Sequence, residues 1–193
     1  MLWIFVNLEV VEKSKLLGVK IQSDLKWNDN TNYICQKGFM RLWMLRRLKG
    51  LGATEAKLLD VYEKQVRSVL ELAVPVWLPA LTKGQSKQIE RVQMTAFCII
   101  LGEEYESYDN ALALLERETL EARRIKLCKK FARKTLKNPR YANWFYPANK
   151  ESSPNIKTRG HKRTTFNLKP VHARTDRFEK SPIPYMTMLL NSL

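Results

Sequence analysis

The sequence has few cysteines, and the three that it has form no pattern. Cys35, Cys98 and Cys128 lie far apart in a chain of 193 residues, and no Cys-x-x-Cys motif occurs. An odd, unpatterned count argues against a disulfide framework and favours a reducing compartment. Because His161 and His172 are not at metal-ligand spacing from any cysteine, the sequence also predicts no zinc site.

Long apolar runs are also missing. The segment Leu2 to Val6 is apolar but short, has no basic residues before it, and is followed at once by Glu9 and Glu12. A membrane-spanning helix needs roughly 20 apolar residues, and a signal peptide needs a basic start. We therefore predict a buried strand at this segment, no membrane partner, and an intracellular protein, nuclear or cytoplasmic, that is not secreted.

A third absence concerns catalysis. A polymerase holds two metal ions between adjacent or facing aspartates, but the aspartates of this chain are all isolated in sequence. They are Asp24, Asp29, Asp60, Asp109 and Asp176. The one acidic doublet, Glu103-Glu104, follows a helix-ending glycine, where a solvated turn is expected. No Gly-rich phosphate loop and no Gly-x-Ser-x-Gly motif occur. The sequence therefore predicts that the isolated chain is not an enzyme and holds no metal or cofactor.

Positive charge, in contrast, is abundant. Lys and Arg number 34 against 19 Asp and Glu, which gives a net charge of +15 and a pI near 9.9. A hydrophobic fraction of 45% is enough for a core. A domain this basic usually binds a polyanion, either nucleic acid or an anionic membrane surface. Because the excess also clusters at one end of the chain, a partner is favoured over a merely solvated surface.

Hydrophobic periodicity predicts a mainly α fold in three parts. Residues 1–27 resemble strands and predict a short N-terminal β-hairpin, and residues 28–145 predict a helical bundle. Residues 146–193 predict a basic, partly disordered tail that ends in a short helix or docks on the body. Within the tail, residues 149–182 have no periodicity and are predicted to be disordered. Gly18 interrupts an apolar run, which indicates a bulge or a close backbone approach.

The first two predicted helices follow the β-segment. The first runs from Asp29 to Leu48. The second begins at Thr54 and breaks near Val74-Pro75, because proline disfavours helix at the residue before it. Its predicted buried stripe consists of Leu58, Tyr62, Val66, Val69 and Ala73. The aromatic residues predicted to lie in the core are Trp27, Trp43, Tyr62, Trp77 and Phe97.

Three further helices follow. The third begins with the capping box Thr82 to Gln85, in which the two side chains satisfy each other's backbone amides, and it ends at Gly102. A short helix is predicted through Ala111–Leu115 and a longer one over Leu120 to Leu136. Asn138-Pro139 ends the long helix.

Basic residues are dense on two of these helices and in the tail. On the first helix, Arg41, Arg46, Arg47 and Lys49 collect over about two turns. They fit phosphate contacts, and equally a complement to the helix dipole. The long helix carries Arg123, Arg124, Lys126, Lys129, Lys130, Arg133 and Lys134, a density that favours a polyanion. The tail carries Arg159, Lys162, Arg163, Lys169, Arg174 and Arg177, which predict either a flexible nucleic-acid-binding arm or a solvated tail.

Several segments resemble a known family. The run Lys15–Asn28 (KLLGVKIQSDLKWN) is similar to the end of the palm in reverse transcriptases of non-LTR (LINE-type) retrotransposons of the jockey/CR1-like kind. Met40–Gly52, Val66–Gln93 and Ile99–Arg124 resemble, in order, the thumb helices of that family. Ser181–Asn191 resembles its C-terminus. The resemblance is collinear and extends over nearly the whole chain.

The resemblance implies a fragment of an RNA-directed DNA polymerase. The family's Tyr-or-Phe-Ala-Asp-Asp motif, which serves the Mg²⁺ ions of the full-length enzyme, lies upstream of this point. We therefore expect the fingers and most of the palm to be missing, and Met1 to mark a truncated or mis-started reading frame. Such a fragment would grip RNA, DNA or an RNA–DNA hybrid through a thumb-like domain and polymerise nothing.

The resemblance also implies roles for particular residues. Gly18 would form the primer grip, with Lys20 and Lys26 near phosphates, and the thumb helices would lie along the minor groove of the hybrid. The implied contacts of the thumb are Arg41, Arg46, Arg47, Lys49, Arg123, Arg124, Lys126, Lys130 and Arg133. The chain departs from the family at Leu16, Met94, Thr95 and Cys98, where aromatic or basic residues are usual. These losses keep an alternative open: a non-functional transposon relic or a helical protein-interaction module.

Overall fold

The computed structural model describes residues 11–147 and 168–192. The predicted strand at Leu2–Val6 and the tail residues Arg159, Lys162 and Arg163 lie outside the described residues. Within the described part, the chain is mainly helical and has a short two-stranded antiparallel sheet near its N-terminal end. The predicted fold class is therefore confirmed.

The N-terminal sheet is a tight β-hairpin. Strands β1 (Lys13–Leu16) and β2 (Val19–Gln22) are joined by Leu17 and Gly18, whose φ angles are 47° and 89°. Two positive φ angles in a two-residue loop make a turn that matches the twist of the strands, and glycine adopts such an angle without strain. A Cβ at Gly18 would lie 3.0 Å from Leu72 Cδ2. The glycine therefore serves a turn and a close approach, and no bulge is needed.

Helix α1 (Asn28–Gly50) is the longest element of the described residues and slightly exceeds its predicted range. Its buried face includes Ile34, Leu42 and Leu45 and packs mainly against α5 (Lys83–Leu101). A Cβ at Gly38 would lie only 2.9 Å from Val92 Cγ1, so this glycine permits the close crossing of the two helices.

The second predicted helix contains a wide turn that sequence periodicity does not reveal. Helix α2 (Glu55–Val61) continues as a π-helical segment (Tyr62–Arg67) and then as α3 (Ser68–Leu70). A π-helix has more residues per turn than an α-helix, so the side chains after it are rotated backwards. Leu70 consequently occupies the buried stripe after Val66. Val69 and Ala73, which the α-helical spacing assigns to that stripe, are only partly buried.

A compact corner follows α3. Ala73 has a φ angle of 51°, and α4 (Val74–Trp77) begins with Pro75 in its first turn, where a missing amide costs no hydrogen bond. Trp77 is fully buried and donates from Nε1 to the carbonyl of Leu72 at 2.8 Å. Its predicted place in the core is confirmed. The 3₁₀ turn Leu78–Ala80 leads to the next helix.

The remaining central helices have the side-chain caps that fix their starts. Thr82 and Gln85 form the predicted capping box of α5, with distances of 3.2 and 2.8 Å. Ser107 caps α6 (Tyr108–Leu114), and Thr119 caps α7 (Leu120–Lys137). Each such cap contributes about 1 kcal/mol. Short 3₁₀ turns, Gly102–Glu104 and Ala142–Trp144, follow α5 and α7.

The end of the chain packs against α7 and corrects part of the disorder prediction. Within the predicted disordered range, residues 168–182 include a bridge from Leu168 to Pro147 and helix α8 (Asp176–Glu179). The Asn191 side chain, at the end of α9 (Pro182–Asn191), bonds both the amide and the carbonyl of Leu168, at 3.0 and 2.9 Å. Sequence periodicity misses these hydrogen bonds because they come from a single amide side chain. A second apolar cluster lies here: Ala132, Phe145, Leu168, Met186 and Leu190.

Candidate nucleic-acid interface

One face of α7 carries an uninterrupted row of cations. We call this row the α7 stripe, and it consists of Lys126, Lys129, Lys130, Arg133, Lys134 and Lys137. At about 100° per residue, these positions fall within an arc of roughly 140°. The row extends roughly 16 Å along the helix. The side chains border one shallow, open depression on the surface.

The α7 stripe repels itself. Lys126, Lys130 and Lys134 are spaced four residues apart, as are Lys129, Arg133 and Lys137, and like charges at this spacing destabilise a helix. The single ion pair recorded for the stripe among the described residues joins Lys126 to Glu118. The described part of the chain therefore leaves the charge of the stripe mostly uncompensated.

Two predicted contact residues of the same helix serve the fold instead. Arg123 forms a two-pronged ion pair with Glu71, which attaches α7 to the end of α3. Arg124 is completely buried, donates to Ser86 Oγ at 2.6 Å, and lies 3.8 Å from Glu90 Oε2. A buried guanidinium cannot reach a phosphate, so the implied contact at Arg124 is corrected.

The burial of Arg124 has an electrostatic cost. Removal from water lowers the pKa of its guanidinium, although Glu90 acts in the opposite direction. Its Nε and Nη1 atoms and Glu90 Oε2 are buried without a hydrogen-bond partner among the described residues. The sequence contains a signal for this burial: Arg124 shares one face with Leu120, Cys128 and Ala132, which are all buried.

The basic cluster of α1 does not form a common surface. At 100° per residue, Arg41, Arg46, Arg47 and Lys49 point in directions that surround the helix. Arg41 bonds the carbonyl of Gln65 in the π-helical segment. Lys49 donates to the last carbonyls of α5, at Ile99 and Ile100, with distances of 2.7 and 3.1 Å.

Lys49 is therefore a C-terminal cap of its neighbouring helix, since it satisfies carbonyls that the helix leaves unpaired. Arg46 and Arg47 are exposed and remain candidates for phosphate contact.

Sequence reasoning missed the apolar side chains beside these arginines. Trp43 was predicted in the core but is 61% exposed, and Met40 is 64% exposed. Phe39 lies next to them and is also exposed. The signal was available, because the buried α1 positions Ile34, Leu42 and Leu45 fix the inner face, and Trp43 lies away from it.

The predicted primer-grip lysines are positioned by the hairpin and the loop after it. Lys26 lies 3.7 Å from Asp24 in an exposed ion pair, and its carbonyl accepts a hydrogen bond from Gln85. The backbone amide of Lys20 donates a hydrogen bond to Asn30 Oδ1 at 3.1 Å, and the Lys20 side chain extends over the ring of Tyr33. The structure thus separates these lysines from each other and fastens both of their backbones to helices.

Comparison with known proteins adds no relative. No family model matches the chain, and no curated protein or solved structure is significantly similar to it. Within residues 11–147 and 168–192, no three His, Cys, Asp or Glu side chains are grouped as a metal site requires. No helix of these ranges is long and apolar enough to cross a membrane.

Proposed function

We propose that this chain is the thumb and C-terminal region of a LINE-type reverse transcriptase and that it grips nucleic acid through the α7 stripe. The observation that carries this proposal is the alignment of six cations on one face of a capped helix. The stripe presents five ammonium groups and one guanidinium, and among the described residues only Lys126 of these six is paired with a carboxylate, that of Glu118. This chemistry suits phosphate oxygens, which carry no sequence information.

The proposal rests on the electrostatic repulsion within the stripe as well as on its geometry. A row of like charges at four-residue spacing lowers the stability of the free protein. Binding to a polyanion removes that repulsion and releases the counterions condensed on the nucleic acid. The energetic gain is therefore larger for a phosphate backbone than for an isolated anion.

The test is equilibrium binding of the full chain to an RNA–DNA hybrid over a series of salt concentrations. If all six cations neutralise phosphates, the slope of log affinity against log salt has a magnitude of about 5. A single strand and a DNA duplex of equal length serve as competitors, and a thumb is expected to bind the hybrid most tightly. Binding that ignores salt, or no binding at all, would contradict the proposal.

A second candidate function has its own observation. The exposed side chains of Phe39, Met40 and Trp43 form an apolar strip on α1, which favours a helical protein-interaction module. The double variant Met40→Ser/Trp43→Ser separates the two functions. If the strip contacts protein only, the variant keeps full affinity for the hybrid and associates less with itself in sedimentation experiments. A loss of hybrid affinity would assign the strip to the nucleic-acid surface.

A further inference from the structure

Three lysines surround one tyrosine where the β-hairpin meets α1. Lys15 and Lys20 are directly opposite each other on β1 and β2, and their Nζ atoms lie 5.2 and 4.7 Å from the centre of the Tyr33 ring. Lys37, about one helical turn after Tyr33, brings a third ammonium group to 4.5 Å from the same centre. We call these four residues the lysine cradle.

The hairpin is fastened to α1 in a way that holds the cradle in place. The buried Asn30 side chain accepts a hydrogen bond from the backbone amide of Lys20. The Gln22 side chain accepts one from the backbone amide of Asp29 at 3.0 Å. Lys13 pairs with Asp29 at 2.8 Å. These contacts fix one strand pair against the first turns of the helix. The backbones that carry the three lysines are therefore positioned before any ligand arrives.

The positive charge of the cradle has no counterion among the residues that the structure describes. Like charges directly opposite on two strands destabilise a sheet, and here a third cation is added. Among residues 11–147 and 168–192, no ion pair joins a carboxylate to Lys15, Lys20 or Lys37. The aspartates of the adjoining segments, Asp24 and Asp29, face Lys26 and Lys13 instead. Within the described part of the chain, the cradle therefore retains a repulsion between like charges that a bound anion would remove.

We propose that the lysine cradle binds a tetrahedral oxyanion of the phosphate type, with three ammonium groups and the Tyr33 hydroxyl as donors. An ammonium has three N–H donors, so a contact with the ring leaves donors free for the anion. The anion has two sources with the same chemistry, a backbone phosphodiester or a free phosphate ion. The site requires no polymerase activity, so it stands independently of the proposed function.

Tyr33 makes this site sensitive to pH. The ammonium groups of Lys37 and Lys15 beside the phenol lower its pKa to about 8. Below that pH the phenol is neutral and can donate a hydrogen bond to the anion. Above it the negatively charged phenolate pairs with the lysine ammonium groups and repels the anion. The charged groups that face Tyr33 are Lys15 on β1, Lys20 on β2 and Lys37 on α1, and next to them Lys13 on β1 is paired with Asp29 on α1. Anion affinity is therefore expected to fall as the pH rises from 7 to 9.

The experiment is an NMR titration of the full chain with sodium sulfate, compared with sodium chloride at equal ionic strength. Sulfate is a tetrahedral oxyanion whose charge does not change over this pH range. We expect saturable shifts of residues 13–22 and 29–37 with sulfate only. Lys37→Gln is expected to weaken binding by about threefold to fivefold, the effect of one exposed charge pair.

The matched control is Lys57→Gln, which removes an exposed lysine of α2 far along the chain from the cradle. It is expected to leave sulfate binding unchanged. Equal shifts with sulfate and chloride, or equal losses in the two variants, would overturn the site. Tyr33→Phe keeps the ring beneath the lysines but removes the proton, so its affinity is expected to become independent of pH. A variant that retained the pH dependence of the original would overturn the role of Tyr33.

Two further titrations distinguish the sources of the anion. If the site holds a backbone phosphate, a short oligothymidylate displaces sulfate and produces the larger shifts. If it holds a free phosphate ion, inorganic phosphate saturates the site and the oligonucleotide does not compete. Both outcomes support the shared chemistry. Sulfate binding that persists when the hybrid-binding test fails would show that the two proposals are separate.

Discussion

Helices α1 and α7 both carry a cluster of cations in sequence but use them in opposite ways. On α1 the cations point around the helix, and two of them, Arg41 and Lys49, satisfy backbone carbonyls of neighbouring segments. On α7 the first two arginines turn inward, while six later cations share one face. The difference teaches that the angle of a cation around its helix, more than the local density of charge, decides whether it contributes to a surface.

The largest expected effect separates the inward part of α7 from its stripe. Arg124→Ala leaves Glu90 without its buried cation and opens a cavity, so it is expected to lower the free energy of unfolding by about 3 kcal/mol. Urea unfolding followed by circular dichroism measures this change. The control Lys130→Ala, on the exposed side of the same helix, is expected to change it by less than about 0.5 kcal/mol. Equal losses would mean that Arg124 is not a structural residue.

The second effect tests the stripe as a binding surface. The triple variant Lys130→Gln/Arg133→Gln/Lys134→Gln is expected to weaken hybrid binding roughly tenfold at low salt and to reduce the salt slope by about 3. Fluorescence anisotropy with a labelled hybrid measures both quantities. The matched control removes three exposed lysines elsewhere, Lys57, Lys83 and Lys87. If this control weakens binding as much, net charge alone explains the affinity, and the arrangement on α7 does not matter.

The third effect concerns the cations of α1 that serve the fold. Lys49→Met keeps the length of the side chain but removes the donor to the last carbonyls of α5, and it is expected to destabilise the protein by about 1 kcal/mol. Arg46→Met, one turn earlier on the exposed face, provides the comparison and is expected to be nearly neutral. Thermal unfolding of the two variants distinguishes them, and identical melting temperatures would argue against the capping role.

The smallest effect concerns the two exposed arginines of α1. Arg46→Gln/Arg47→Gln is expected to weaken hybrid binding by about twofold to threefold, because two contacts contribute less than the aligned row on α7. The same anisotropy assay measures it. A loss greater than that of the α7 triple variant would reverse the comparison and make α1 the main surface.

Local signals in the sequence predicted much of the fold. The capping box at Thr82 defines the start of α5 because Thr and Gln satisfy each other's amides within four residues. Trp77 between two prolines was correctly assigned to the core. The α-helical period, however, predicts Val69 and Ala73 on the buried face of the second helix. The π-helical turn changes the spacing, so Leu70 is buried there instead. The α-helical spacing of apolar residues contains no sign of that turn.

The candidate site was less predictable, for a related reason. Density of charge indicated both helices but did not separate Arg124, which is buried, from Lys130, which is exposed. That distinction needs the buried face of α7 to be known first, and its small residues Cys128 and Ala132 give a weaker signal than leucines would. The cradle around Tyr33 was outside the reach of sequence patterns, because it joins two strands and a helix through tertiary contacts.

The π-helical segment determines how long rows of side chains spaced four residues apart stay on the same face of their helix. In a regular α-helix, residues spaced four apart drift by about 40° at each step, so a straight row soon turns away from its neighbour. The wider turn at Tyr62–Arg67 cancels much of this drift. The charged residues Glu63, Arg67 and Glu71 therefore stay on one face over nine residues. Glu63 pairs with Arg117 and Glu71 pairs with Arg123. The wide turn therefore allows one helix to keep its apolar row against the core and its charged row against Arg117 and Arg123.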